Sequence, residues 1–263
     1  MTSLELQSNF WFYWASFCGI IMTGYFSAAS SLYWLMYSNG KNRISEGISG
    51  AQAEIAQHRR KSMIKDDIKL SVASVTIFSL GAALFMHFYD LGLTRVYLGW
   101  TPIDLGYIAF SYLFVLILQD TCFYFMHRLF HLPRLFACSH QGHHQSRPPT
   151  PWTFLALEPI EAIGQMGLLL GITFILPLHL GVLVAVLITM TVWSMGNHLG
   201  LKIVSRSRNS RWWGQWFIGS SHHLVHHQRY SLHYGLYFTF WDKLLDTQDH
   251  SYESQRQQLS PNS

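Results

Sequence analysis

The chain has 263 residues, 49% hydrophobic and 16% aromatic but only 12% charged, well below the roughly 25% charge of an ordinary soluble domain. This composition argues for a membrane protein of one functional unit rather than a soluble enzyme. The net charge of +4 is modest and the aromatic residues lie in apolar runs rather than among Lys and Arg, which argues against a nucleic-acid surface. The three cysteines, Cys18, Cys122 and Cys138, form no C-x-x-C pair, so neither a disulfide framework nor a cysteine metal site is indicated.

The predicted elements are all helical. Phe10 to Tyr37 carries no formal charge over 28 residues, enough to cross a hydrocarbon core of about 30 Å. It lacks a basic n-region and is too long for a signal h-region, so it is expected to be retained as the first span. Residues 38–67 are polar and basic, and a second apolar run follows from Leu70 to about Phe88. After a turn containing Pro102, a third runs from Leu105 to about Leu118 and continues into a histidine-rich segment. The apolar stretch from Ile163 to Trp193 is broken by Leu176-Pro177-Leu178-His179-Leu180-Gly181, which predicts a helical hairpin, because proline stops a helix and glycine loosens it. Each arm is expected to hold about 13 to 15 residues, short for a full crossing. The fold expected is therefore all-α, a multi-pass membrane protein of about four spans with a histidine-rich helical cap on the cytoplasmic side. Residues 1–104 would form the N-terminal spans and basic loop, 105–247 the histidine-bearing domain and 248–263 a polar tail.

Orientation follows from the basic residues. With the 38–69 loop in the cytoplasm, 17 of the 18 Lys and Arg lie on that side and only Arg95 lies opposite, as the positive-inside rule favours. The clustered histidines then face the cytoplasm, while His87 and His179 sit near the other face.

Ten of the fifteen histidines fall in tight groups: His127 and His131 in HRLFH, His140, His143 and His144 in HQGHH, His198 alone, and His222, His223, His226 and His227 in HHLVHH. Spacings of three and four residues place side chains together on one helix face, and neutral imidazole suits iron, zinc, copper or nickel. Ten such ligands exceed one coordination sphere and suggest two metals. H-x-x-x-H alone is a weak signal, but five histidines within 18 residues, and the repeat of H-x-x-H-H about 80 residues later, are not. His198 taken alone is equally an interfacial histidine held by hydrogen bonds; topology places it on the same face as the others. No Glu-x-x-His or His-Glu-x-x-His occurs, so neither the soluble di-iron carboxylate pattern nor the zinc-protease pattern applies. Asp120, one or two turns before the first ligands in an apolar segment, is expected to orient an imidazole through its other ring nitrogen. The aromatic run at 211–217 reads as an interfacial belt or the wall of a lipid entrance.

The order H-x-x-x-H, H-x-x-H-H, a solitary His after a membrane hairpin, then H-H-x-x-H-H resembles the fatty acid hydroxylase superfamily, which includes sterol C-5 desaturases, sterol C-4 methyl oxidases and sphingolipid hydroxylases. The resemblance covers roughly residues 105–247. It includes Asp120, Tyr124 and Arg128, Pro159 and Glu161, and Tyr234-Gly235 followed by Phe240-Trp241-Asp242. It implies two non-haem irons bound by the ten histidines, with O2 and two external electrons used to hydroxylate or desaturate a lipid. The chain has no Gly-x-Gly-x-x-Gly and no C-x-x-C, so a b-type cytochrome or ferredoxin with its reductase is implied as electron donor. The membrane would be the endoplasmic reticulum in a eukaryote and the inner or plasma membrane in a bacterium. The chain departs from the family pattern at His233, where Asn is usual, and at Asp246, where Gly is usual. His233 is either an added donor behind the ligands or a surface substitution, the latter favoured.

Two other classes compete. A histidine-rich metal transporter or store should carry ligands within its spans, and a haem carrier needs histidines facing one another across paired spans. The spans hold almost no such ligands and His87 and His179 lie too near the far side to pair well, which favours the enzyme and leaves the metal transporter or store as the alternative.

Overall fold

The computed structural model describes residues 3–37, 51–99, 105–199 and 214–249. Lys41, Arg43, Pro102, the start of the aromatic run at 211–217 and the tail from 250 lie outside them. Among the described residues no strand forms, and the chain runs through α1 (Ser3–Tyr37), α2 (Ala51–Asp90), α3 (Leu105–Phe130), α4 (Pro133–Ser139), α5 (Pro159–Ile175), α6 (Leu180–Asn197), α7 (Ser220–Gln228) and α8 (Phe240–Leu244). Among the described residues four helices are long and apolar enough to cross a membrane: Asn9–Tyr37, Glu54–Asp90, Leu105–Phe130 and Leu180–Asn197. Large apolar side chains on them stay exposed, among them Trp11, Trp34, Phe110, Leu113 and Val192, the surface that lipid covers.

Two expectations change in detail. The polar stretch before the second apolar run is helical from Ala51, because its Ala, Gln, Glu, Lys and Arg residues are strong helix formers and polarity alone does not break a helix. The break at 176–179 forms as expected, but the helices on either side of it, α5 and α6, are 17 and 18 residues long. Pro159 supplies the first helical position of α5, where its missing N–H costs nothing, and α6 continues past Trp193 to Asn197.

The chain forms two compact units. In the first, residues 1–95 and 137–175, α1 packs along α2 and α2 along α5. The loop between α4 and α5 is gripped by α1 and α2: Tyr25 Oη donates to the Trp152 carbonyl at 3.0 Å, and Ser74 Oγ to the Leu157 carbonyl at 2.9 Å. In the second unit, residues 96–136 and 176–263, α3 packs on α6 and α6 on α7. There residues 178–180 are tied down by Tyr97 N–H donating to Leu178 O and Leu180 N–H to Tyr97 O, both 2.9 Å. His179 caps α6 by accepting from Gly181 N–H and donates its other nitrogen to Leu98 O, a structural role consistent with its place outside the histidine groups.

Helices α2 and α5 meet at Gly81, where an added Cβ would collide with the Met166 side chain. Gly81→Val is expected to destabilise the protein by about 1–3 kcal/mol through overpacking. A thermal melt in detergent measures it, and an unchanged midpoint would contradict this packing.

Candidate metal centre

In the second unit, α3 and α7 converge on two sets of imidazoles. His127, in the last turn of α3, and His131, just beyond it, are four residues apart and so share a face, with ring centroids 5.0 Å apart. His226 of α7 stands 4.6 Å from the first ring and 4.8 Å from the second. His127 Nδ1 donates to the Tyr234 carbonyl at 3.0 Å and His226 Nδ1 to the Leu232 carbonyl at 2.7 Å. A carbonyl only accepts, so both rings carry their proton on Nδ1 and keep the Nε2 lone pair for a metal.

The second set is His198, His223 and His227. His198 follows the last residue of α6 and donates Nδ1–H to the Ser194 carbonyl at 2.7 Å. The Nε2 atoms of His198 and His227 lie 2.9 and 3.0 Å from Nε2 of His223. Two nitrogens about 2.1 Å from one ion stand about 3.0 Å apart at a right angle and about 3.4 Å apart at the tetrahedral angle. The spacing would allow His198, His223 and His227 to hold one ion together. In each set the ligand atoms lie within 4.8 Å of one another.

The first unit carries the H-x-x-H-H turn. His140 and His143 stack at 4.9 Å, and His144 stands 4.8 Å from His140. Glu161 Oε2 receives His140 Nδ1 at 2.7 Å, and the Ala156 carbonyl receives His143 Nδ1 at 3.0 Å. Glu158 accepts the backbone N–H groups of Gly142 and His143. A Cβ on Gly142 would come within 2.5 Å of Glu158 Oε1 and 2.8 Å of Leu70, so any larger residue would have to displace those side chains. Burial holds both His140 and His143 below the ordinary histidine range, which keeps them neutral, and it pushes Glu161 up to about 7.

Three sequence expectations change. Among the described residues Asp120 has no hydrogen bond to an imidazole: its Oδ1 accepts the backbone N–H groups of Leu236, Tyr237 and Phe238 at 3.1, 2.7 and 3.1 Å, because the loop after the last histidine group wraps over α3 and presents its amides there. The carboxylate that does reach an imidazole is Glu161, legible only as one of the family's flanking residues. His222 belongs to neither set of ligand atoms; adjacent to His223, it projects about 100° away around the helix, accepts Gly219 N–H at 3.2 Å and meets the His233 ring at 5.0 Å. His233 is not a surface substitution but is buried, with its Nε2 accepting Asp249 N–H at 3.2 Å.

The flanking motifs explain one another. Asp242, of Phe-Trp-Asp, accepts the backbone N–H groups of Tyr234 and Gly235 at 2.8 and 3.0 Å and the Thr247 hydroxyl at 2.7 Å. It and Asp120 thereby shape the loop whose carbonyl orients His127. The two departures from the family pattern have a backbone reason: His233 and Asp246 sit at φ +57° and +54°, a region that Asn and Gly adopt more readily than other residues.

Asp246→Gly, at an exposed position, is therefore expected to stabilise the protein by up to about 1 kcal/mol, read as a rise in thermal midpoint; a fall would contradict the strain. Burial pushes the His233 imidazole down to about 4 from 6.5. The folded state then refuses a proton that the unfolded chain accepts, so stability is lost as pH falls from about 6.5 towards about 4. His233→Asn should flatten that acid limb in melts across this range, and an identical limb would show that His233 does not carry it.

Residues 112–247, a little over half of the chain, match the pattern of the fatty acid hydroxylase family. The chain is 31% identical to human lathosterol oxidase over 188 residues, 70% of this chain and 60% of the relative. It is 26% identical to the rat lathosterol oxidase, covering 84% and 69%, and 26% identical to a Delta(7)-sterol 5(6)-desaturase of Gibberella zeae, covering 69% and 55%. The aligned stretch thus spans between about half and two thirds of the length of these relatives. No solved structure matches. The histidine order, the loop geometry and the extent of the match agree, and the protein belongs to the fatty acid hydroxylase family.

Proposed function

We propose that the protein is a membrane-bound oxygenase that holds two irons on its grouped histidines and hydroxylates or desaturates a lipid. The observation that carries this is the convergence of Nε2 atoms from His198, His223 and His227 while Nδ1 of His198 is committed to a carbonyl. His127, His131 and His226 would share one ion and His198, His223 and His227 the other, with His140, His143 and His144 of the first unit as the remaining candidate ligands. His222 is left to cap α7. Iron held on these histidines, with no protein carboxylate among the candidate ligands, would supply the O2 chemistry.

The chain's residues bind, orient and exclude water. The Nδ1 contacts of His127, His140, His143, His198 and His226 hold each ring in one plane and one tautomer. Hydroxylation consumes one O2, two electrons and two protons and gives the alcohol and one water; desaturation consumes the same and gives the alkene and two waters. Electrons come from a b-type cytochrome or ferredoxin with its reductase. The sterol-oxidising names of the relatives make a sterol the first substrate to test, ahead of sphingolipid or fatty acyl chains. The histidine-bearing helix ends, the basic part of α2 and the C-terminus would face the cytoplasm, by the distribution of Lys and Arg.

Oxygen-dependent lipid modification in membranes, at matched expression, tests the reading. His143→Ala and His226→Ala are each expected to abolish product, and His58→Ala to leave it intact. Undiminished activity in both ligand variants would overturn the mechanism, whereas loss in all three would mean the assay reports stability. Glu161→Gln should lower activity about 10–100-fold by releasing the His140 ring. A cysteine introduced at Gln145 should be labelled from the cytoplasmic side, and labelling from outside alone would reverse the orientation.

A further inference from the structure

We propose that Asp67, in α2 and outside the stretch matched to the family, is a positioning residue for the H-x-x-H-H turn. The inference rests on the metal-binding reading above. Asp67 and its neighbour Asp66 differ sharply. Asp66 is exposed and pairs with Lys69 at 2.8 Å, an ordinary helix-surface contact, whereas Asp67 is 2% exposed. Among the described residues its carboxylate meets two hydroxyls and no cation: Ser146 Oγ at 2.7 Å from each oxygen, and Thr153 Oγ1 at 2.8 Å.

Burying a carboxylate without a cation is costly, and an apolar or amide side chain of similar size would fill the space at less cost. A carboxylate can only accept, however, and that fixes the direction of both hydroxyl bonds. Thr153 Oγ1, committed to donating to Asp67, accepts Thr150 N–H at 3.0 Å, closing the turn Pro151–Thr153. Ser146 is held two residues after His144, and its own neighbour Arg147 donates to the His144 carbonyl at 2.9 Å.

The segment 140–158 has little regular structure of its own, so its path is set by such anchors. Glu158 holds it at Gly142 and His143, and Asp67 holds it at Ser146 and Thr153. The candidate ligands His140, His143 and His144 lie on or directly before the span between these two anchors. An amide at position 67 would offer N–H to a hydroxyl and permit the reverse polarity, loosening one anchor without leaving a void.

The test uses the full-length protein in detergent, with cobalt(II) as probe for both metal affinity, by chelator competition, and the visible ligand-field spectrum of the bound ion. Asp67→Asn is expected to weaken cobalt binding about 10–100-fold and to shift the spectrum, with helix content and monodispersity unchanged. Asp66→Asn should match the wild type. Ser146→Ala should weaken binding in the same direction, and the Asp67→Asn/Ser146→Ala double variant should be no worse than Asp67→Asn alone, because the two act through one contact. Wild-type affinity and spectrum in Asp67→Asn would overturn the proposal while leaving the metal reading intact; no cobalt binding by the wild type would overturn the metal reading itself. Should Asp67→Asn fail to fold, Ser146→Ala decides, and unchanged binding there overturns the role.

Discussion

The site depends on one repeated interaction, an imidazole Nδ1–H given to an oxygen acceptor so that Nε2 is left with its lone pair facing inward. His127, His143, His198 and His226 give theirs to backbone carbonyls and His140 to Glu161. A histidine in an apolar interior is neutral, has two tautomers and rotates about two bonds; the Nδ1 contact removes all three freedoms. Coordination chemistry then follows from where the acceptors are placed, and their placement is what the rest of the fold serves.

Buried carboxylates that gather backbone amides hold parts of the chain around these rings. Asp120 takes three N–H groups from 236–238, and Asp242 takes those of Tyr234 and Gly235; together they fix the loop that offers the Tyr234 carbonyl. Glu158 does the same for the Gly142–His143 turn. A shell of imidazoles contributes no negative charge, so buried carboxylates around it would also offset the charge of cations held there, in a region of low dielectric. This gives the acidic residues two roles without making any of them a ligand.

The histidine sets were legible in the sequence because three- and four-residue spacings translate directly into a shared helix face, and the apolar runs translated directly into helices. What was not legible depended on the path of irregular chain. Whether Asp120 meets a ring nitrogen or three amides is decided by the course of residues 233–238, which turns on a left-handed backbone at His233 and on Gly235, where a Cβ would strike the Phe238 carbonyl. Adjacent His222 and His223 look equivalent in a spacing pattern and diverge only because successive residues on a helix point about 100° apart. Asp67 was hidden for a different reason: it stands among Lys65, Asp66 and Lys69 in a segment that reads as solvated charge, and its burial follows from the packing of α1, α2 and the 146–153 loop.

The central claim is that histidine nitrogens, without carboxylate or thiolate, surround two irons. Iron-edge X-ray absorption of the purified protein, with iron counted per chain, tests it most directly. The account predicts two irons per chain, each in a shell of nitrogen or oxygen neighbours with the multiple-scattering pattern of several imidazoles and no sulfur. One iron or none after reconstitution, or a shell dominated by carboxylate with few imidazoles, would contradict it.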